Sequence, residues 1–208
     1  MYLSLFIASC ISLFSLINPL SALPVFISLT ANHPTKWRNY QIRKTAMYII
    51  LICLVSFYAG TYILSFFGIS IHALKMAGGI VIARSGFMLL NAQHKGDVKG
   101  KIKEESLHKE DISFSPLAMP LLAGPGSISL LINMSIEARL WEQKAMIVLA
   151  IITVALAIFL LFTVAPRVIK YIGEAGLKSI SKIMGFLVLA IGIQMITDSI
   201  IHLFRIPI

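Results

Sequence analysis

Asn18-Pro19-Leu20-Ser21-Ala22-Leu23-Pro24 lies inside the first 35 residues, none of which is Asp, Glu, Lys or Arg. Pro19 removes a backbone donor and its ring drives Asn18 out of the α region, so a helix passing through this stretch must kink or break. A second such stretch, with Pro116, Pro120 and Pro125 around Ala123-Gly124 and Gly126, lies inside residues 112–136, again without a charge. Segment one spans about 30 residues, or ~45 Å as continuous helix against a hydrocarbon core of ~30 Å, which independently calls for a tilt or a break.

Working outward, the charge-free runs 1–35, 45–74, 112–136 and 145–166 are 35, 30, 25 and 22 residues long. About 20 apolar residues cross a bilayer. The composition agrees: 58% of the residues are hydrophobic and 13% charged, against about 25% charged in soluble domains. A soluble domain is excluded, and an all-α polytopic membrane protein is expected. The first run has no basic start and is too long for the apolar core of a secretory signal, so it is retained as structure. Cys10 and Cys53 sit within apolar runs, where they read as packing residues, not as a disulfide or metal site.

Breaks at charge clusters and at Gly or Pro give six membrane segments, at 2–31, 45–67, 69–91, 112–136, 145–166 and 180–201. Twelve basic residues fall in alternate connections: Lys36, Arg38, Arg43 and Lys44; Lys95, Lys99, Lys101, Lys103 and Lys109; Arg167, Lys170 and Lys178. Only Arg139, Lys144 and Arg205 fall in the others. The positive-inside rule then places both termini outside the cytoplasm. It also gives the net charge of +9 an origin in topology, and nucleic acid is not expected as a partner. The polar stretch 92–111 balances its five Lys with Asp97, Glu104, Glu105, Glu110 and Asp111, and reads as a solvated cytoplasmic linker between halves 1–91 and 112–208.

The two halves repeat. Asn18-Pro19-Leu20-Ser21 parallels Gly124-Pro125-Gly126-Ser127 at an offset of 106, and Lys75, Gly78, Val81 and Ala83 fall on Lys182, Gly185, Val188 and Ala190 at 107. Each half has three segments, an odd number, so the second enters the membrane in the opposite direction. That is an inverted-topology repeat with broken first helices, an arrangement found in many secondary transporters. Two facing half-helices would direct N–H groups and positive dipole ends at one volume suited to a carboxylate or another small anionic group. Asn18, Pro19, Ser21, Gly124, Pro125, Gly126 and Ser127 are therefore the candidate substrate-binding residues. The structural alternative is a pair of kinks with the Ser hydroxyls bonded to backbone.

At Asn18 to Phe26 and Pro120 to Ile128, and again at Ala77-Gly78-Gly79-Ile80 and Met184-Gly185, the sequence resembles the MarC family of membrane proteins over the whole chain. The resemblance implies a six-span bacterial inner-membrane protein with periplasmic ends and a distant similarity to LysE-type exporters. Some archaeal members are regarded as transporters of small neutral amino acids, so a transport class is implied without a fixed substrate. Two positions depart from the family pattern: Ser21 stands where Gly is usual, and Arg84 where a small or apolar residue is.

An Arg within the membrane costs about 2.5–3.5 kcal/mol on insertion scales, which makes Arg84 a functional candidate, although it lies ~10 Å from the cytoplasmic end and can snorkel. Asp198 lies near the outer end of segment six, at a depth that argues against an ion pair with Arg84. Asn91 is related to Asp198 by the repeat, and Gln194 shares its helix face one turn away. These four are candidate pathway-lining residues, with interhelical packing as the alternative for the carboxamides. No two His stand at metal-ligand spacing on one helix, and no H-E-x-x-H, G-x-S-x-G or paired intramembrane Asp occurs. No enzyme activity, metal or cofactor is expected. The expected function is secondary transport or export of a small polar solute, the alternative is a non-transporting scaffold or assembly protein, and the expected partners are the bilayer and that solute. Oligomeric state, substrate, direction and coupling ion are not legible.

Overall fold

In a computed structural model, residues 2–30, 33–91 and 111–204 are described; apart from Asp111, the linker 92–111 lies outside them. The described residues form helices and no strand: α1 (Tyr2–Ile17), α2 (Pro19–Thr30), α3 (Thr35–Phe66), α4 (Ile71–Leu90), a π-type segment (Ser113–Leu122), α5 (Pro125–Glu137), α6 (Trp141–Thr163) and α7 (Ala165–Phe204). Five stretches are long and apolar enough to cross a membrane: Tyr2–Leu23, Thr35–Phe66, Ile71–Leu90, Trp141–Thr163 and Ala175–His202.

The segment expected at 112–136 is not one helix. Ser115 (φ −124°, ψ 120°) and Met119 (φ −134°, ψ 130°) leave helical geometry, and Gly124 is extended at ψ 176°. Each of the three directly precedes a proline, which pushes its predecessor towards the extended region. The π-type segment is thus a chain of short turns, and only the 13 residues of α5 run on as a regular helix.

Two helices outrun their expected spans. α3 starts at Thr35 and α7 at Ala165, where the sequence pattern gives 45 and 180. Hydropathy marks the part of a helix that lies in hydrocarbon, whereas Lys and Arg are good helix formers and let it continue into the polar layer. α7 is interrupted at Gly173, whose φ of 69° and ψ of 170° belong to a region essentially reserved for glycine. The basic stretch of Arg167 and Lys170 is therefore a helical turn set at an angle to the span, where a loop is expected from sequence.

α6 buries Ile147, Ile151, Val154, Ala155, Ile158 and Phe162 at helical spacing, while Leu149, Ile152, Leu156 and Leu160 on its other side are exposed. An apolar face of this kind would be a liability in water and is the solvated face in lipid. Phe162 stacks on Phe26 of α2 with ring centroids 4.7 Å apart. α1 packs on α6, α3 packs on the π-type segment, α5 and α6, α4 packs on α5, and α2 packs on α7. Where the π-type segment begins, the Lys44 ammonium donates to Asp111 at 2.7 Å and the Ser113 amide donates to the same carboxylate at 2.9 Å. Burial pushes the Asp111 carboxyl up, but these bonds outweigh it and hold it below its ordinary value, so it is ionised at neutral pH.

The most extensive interface joins α4 to α7. A Cβ added at Gly79 would lie 2.7 Å from the Gly192 carbonyl oxygen, and one at Gly86 would lie 2.7 Å from that of Gly185. The pairs occur in opposite order along the two helices, which therefore run antiparallel in backbone contact. Replacing Gly192 by Leu should lower stability by about 1–3 kcal/mol or more, through overpacking against fixed backbone. Gly173→Ala should lower it by about 1–3 kcal/mol through backbone strain alone. Thermal unfolding of the detergent-solubilised protein measures both; an unchanged midpoint for Gly192→Leu would mean that the helices do not touch there.

Candidate functional site

The two breaks share a proline at the first helical position and a serine two residues on, but differ in the residue before the proline. Asn18 has φ 44°, the left-handed region that Asn tolerates better than other side chains. Its N–H donates to Phe14 O at 2.9 Å, closing α1. Its carboxamide Oδ1 accepts from Ser21 N at 3.4 Å, so the same residue caps the start of α2. Pro19 follows at the first helical position, where its missing N–H costs nothing. In the other half Gly124 is the N-cap and Pro125 the first residue of α5.

Ser21 Oγ donates to Asn18 O at 3.0 Å, and Ser127 Oγ donates to Gly124 O at 2.8 Å. Both hydroxyls are thus turned back on their own first turns. Asn18, Pro19, Gly126 and Ser127 are buried, Ser21 and Gly124 half-buried, and Pro125 exposed. A Cβ at Gly126 would lie 3.0 Å from Leu16 Cδ2 and 3.1 Å from Ile82 Cγ1, so the second break is closely packed by α1 and α4. Asn18 Nδ2 is buried with no hydrogen-bond partner among the described residues.

A cavity of about 390 Å³ lies at one end of the bundle, where the first half of α1 meets the end of α5, the start of α6 and the C-terminal half of α7. Its polar lining is Ser9, Ser12, Asn133, Glu137, Gln143, Gln194 and Asp198. Glu137 Oε1 accepts from Asn133 Nδ2 at 3.1 Å and from Lys75 Nζ of α4 at 2.8 Å. Because the Asn133 amide presents its NH2 to a carboxylate, its Oδ1 is left as an acceptor, buried and without a partner. Ser9 Oγ is also buried, and neither atom has a hydrogen-bond partner among the described residues. Lys75 neutralises Glu137, whereas Asp198 takes part in neither of the ion pairs among the described residues. The cavity is thus rich in unused acceptors.

Of the residues singled out from sequence, Gln194 and Asp198 come together here. Arg84 and Asn91 do not: both are exposed on α4, Asn91 as its C-cap, and Arg84 forms no ion pair among the described residues. The break residues do not line this cavity. Sequence reasoning missed Ser9, Ser12, Asn133 and Glu137. The available signal was spacing, since Ser9 and Ser12 stand three apart and Asn133 and Glu137 four apart, each pair on one helix face.

A family-wide sequence profile described as "MarC family integral membrane protein" matches residues 3–204. The chain is 37% identical over 200 residues to a UPF0056 membrane protein of Methanocaldococcus jannaschii, covering 96% of this chain and 98% of the relative. It is 36% identical over 199 residues to a UPF0056 membrane protein of Buchnera aphidicola, covering 95% and 93%. With the UPF0056 inner membrane protein MarC of Salmonella typhimurium it shares 33% identity over 204 residues, covering 93% and 92%. No solved structure shows a significant match.

In a background with Cys10 and Cys53 replaced by Ala, single cysteines at Ser12 and Gln194 should react with a membrane-impermeant thiol reagent, while one at the buried Ile151 should not. Equal protection of all three positions would mean that the cavity is closed to water.

Proposed function

The chain belongs to the MarC family of integral membrane proteins, and on that basis we propose that it is a secondary transporter of a small polar solute. The observation that carries this reading is the cavity at Ser9, Asn133 and Asp198, a space of about 390 Å³ among apolar helices in which Ser9 Oγ and Asn133 Oδ1 have no hydrogen-bond partner among the described residues. Such groups suit a solute that brings N–H donors or a positive charge. The starts of α2 and α5 offer the complementary dipole ends for an anionic group. A small zwitterion, such as the small neutral amino acids implied by the family resemblance, would meet the acceptors in the cavity first and the dipole ends only on moving to the breaks, which lie outside it.

Six membrane segments in two inverted halves form part of this proposal. It is supported by the matching helix starts, where Pro19 and Pro125 stand at the first position and Ser21 and Ser127 donate back to the Asn18 and Gly124 carbonyls. The packing supports it as well. Exchanging α1 for the π-type segment, α2 for α5, α3 for α6 and α4 for α7 turns the α1–α6 contact into that between the π-type segment and α3, and α4–α5 into α7–α2. Relatives named inner membrane proteins and the distribution of Lys and Arg favour the inner membrane with both termini periplasmic, so that the cavity faces the periplasm. The protein carries out no covalent chemistry on this reading.

A second reading, a static scaffold, is favoured by the Ser21 and Ser127 hydroxyls satisfied by their own backbone and by the close packing at Gly126. Solute flux in proteoliposomes separates the two. Asp198→Asn should reduce flux at least tenfold if the cavity is on the path, and Asn18→Leu or Gly126→Leu should reduce it by a similar factor if the breaks are. Flux that is absent from the parent protein across amino acids and other small ions, with the cavity inaccessible to thiol reagents in every condition, would support the scaffold and sink the transporter.

A further inference from the structure

Between α3 and α6, at the end of the bundle that also holds the polar cavity, two further hollows of about 310 Å³ and 400 Å³ meet at Tyr58 and Lys144. They differ in character. The larger carries hydroxyl groups from Tyr58, Thr61, Tyr62 and Ser135. The smaller runs along one face of α6 past Val148, Leu149 and Ile152, with Trp141 at its mouth.

We propose that this groove binds an anionic phospholipid, its phosphate on Lys144 and the neighbouring hydroxyls and an acyl chain along Val148, Leu149 and Ile152. Three observations carry the assignment. The first is charge: Lys144 is half-buried one turn inside α6, takes part in neither ion pair among the described residues, and shares both hollows with no carboxylate. An ammonium withdrawn from bulk water needs a counter-charge, and a phosphate supplies one together with acceptors for four hydroxyls.

The second is depth. Trp141 at the start of α6 is 74% exposed and Tyr62 at the end of α3 is 77% exposed, as expected of aromatic side chains at the membrane–water boundary. Lys144 therefore stands at headgroup level. The third is continuity, because the polar hollow opens directly into an apolar one on the lipid-facing side of α6, where Leu149 and Ile152 are exposed. A free phosphate would use the first hollow and leave the second unfilled, whereas a lipid fills both.

Trp141 provides the readout. With Trp37 replaced by Phe, the protein is reconstituted in phosphatidylcholine bilayers containing increasing amounts of phosphatidylglycerol brominated on its acyl chains, or of phosphatidylcholine brominated in the same way. Brominated phosphatidylglycerol should quench Trp141 at about fivefold lower mole fraction, the size of effect expected from one basic side chain at an anionic surface. Lys144→Gln should abolish the difference, Tyr62→Phe should reduce it, and Lys178→Gln, outside the groove, should leave it unchanged. Coincident quenching curves for the two lipids in the parent protein overturn the proposal, and this arm needs no groove variant to fold. So does release of quenching by millimolar inorganic phosphate, which would make the groove a site for the free ion.

Discussion

Everything in this fold depends on what happens to backbone N–H and C=O groups where helices stop inside the membrane. Every helix end leaves four donors or four acceptors without partners, and hydrocarbon provides none. Asn18 resolves both ends at once. Its left-handed backbone closes α1 through Phe14 O, and its carboxamide caps α2 at Ser21 N. A left-handed residue costs about 1–2 kcal/mol, least for Asn, and an N-cap returns about 1 kcal/mol. In the second half the work is divided: Ala123 N–H closes the π-type segment on Ala118 O, and Gly124, held extended before Pro125, starts α5 without strain and without a capping side chain.

A second constraint follows from the solvent. Lipid tails are as apolar as Leu, so burying Leu between helices gains little, and close packing must hold the bundle together. The antiparallel contact at Gly79–Gly192 and Gly86–Gly185 meets that need by removing side chains from between two backbones. It also fixes the site. Gln194 and Asp198 ride on α7, and Lys75 on α4 reaches across to Glu137 on α5, so the rigid pair sets the separation of the cavity's polar walls.

The sequence made the helices and their interruptions legible because hydropathy and proline act locally. Asn18, Ser115, Met119 and Gly124 each precede a proline, and each departs from helical geometry. Helix ends were less legible: the charges at Lys36 to Lys44 and Arg167 to Lys178 mark where hydrocarbon stops, and helices continue beyond it. The cavity was half legible. Asp198 and Gln194 stand out as polar residues in an apolar run, whereas Ser9 and Asn133 gain meaning only when α1 and α5 are brought side by side. That placement depends on packing between helices far apart in sequence.

The unpartnered groups also bear on the choice between a transporter and a scaffold. A buried acceptor left without a hydrogen bond costs about 1–3 kcal/mol, and Ser9 Oγ and Asn133 Oδ1 are two such groups on the wall of one cavity. In a bundle whose only task is to hold its shape, Ala at Ser9 and Leu at Asn133 would remove that cost and improve packing. The polar groups make physical sense when a donor-bearing solute, or the water it displaces, completes them. Asp198 extends the point, since a carboxylate within membrane helices is expensive unless water or a cation meets it. The acceptors, the charge and the space occur together at the end of α1 farthest from its break, which is where a solute moving towards Asn18 would first be desolvated.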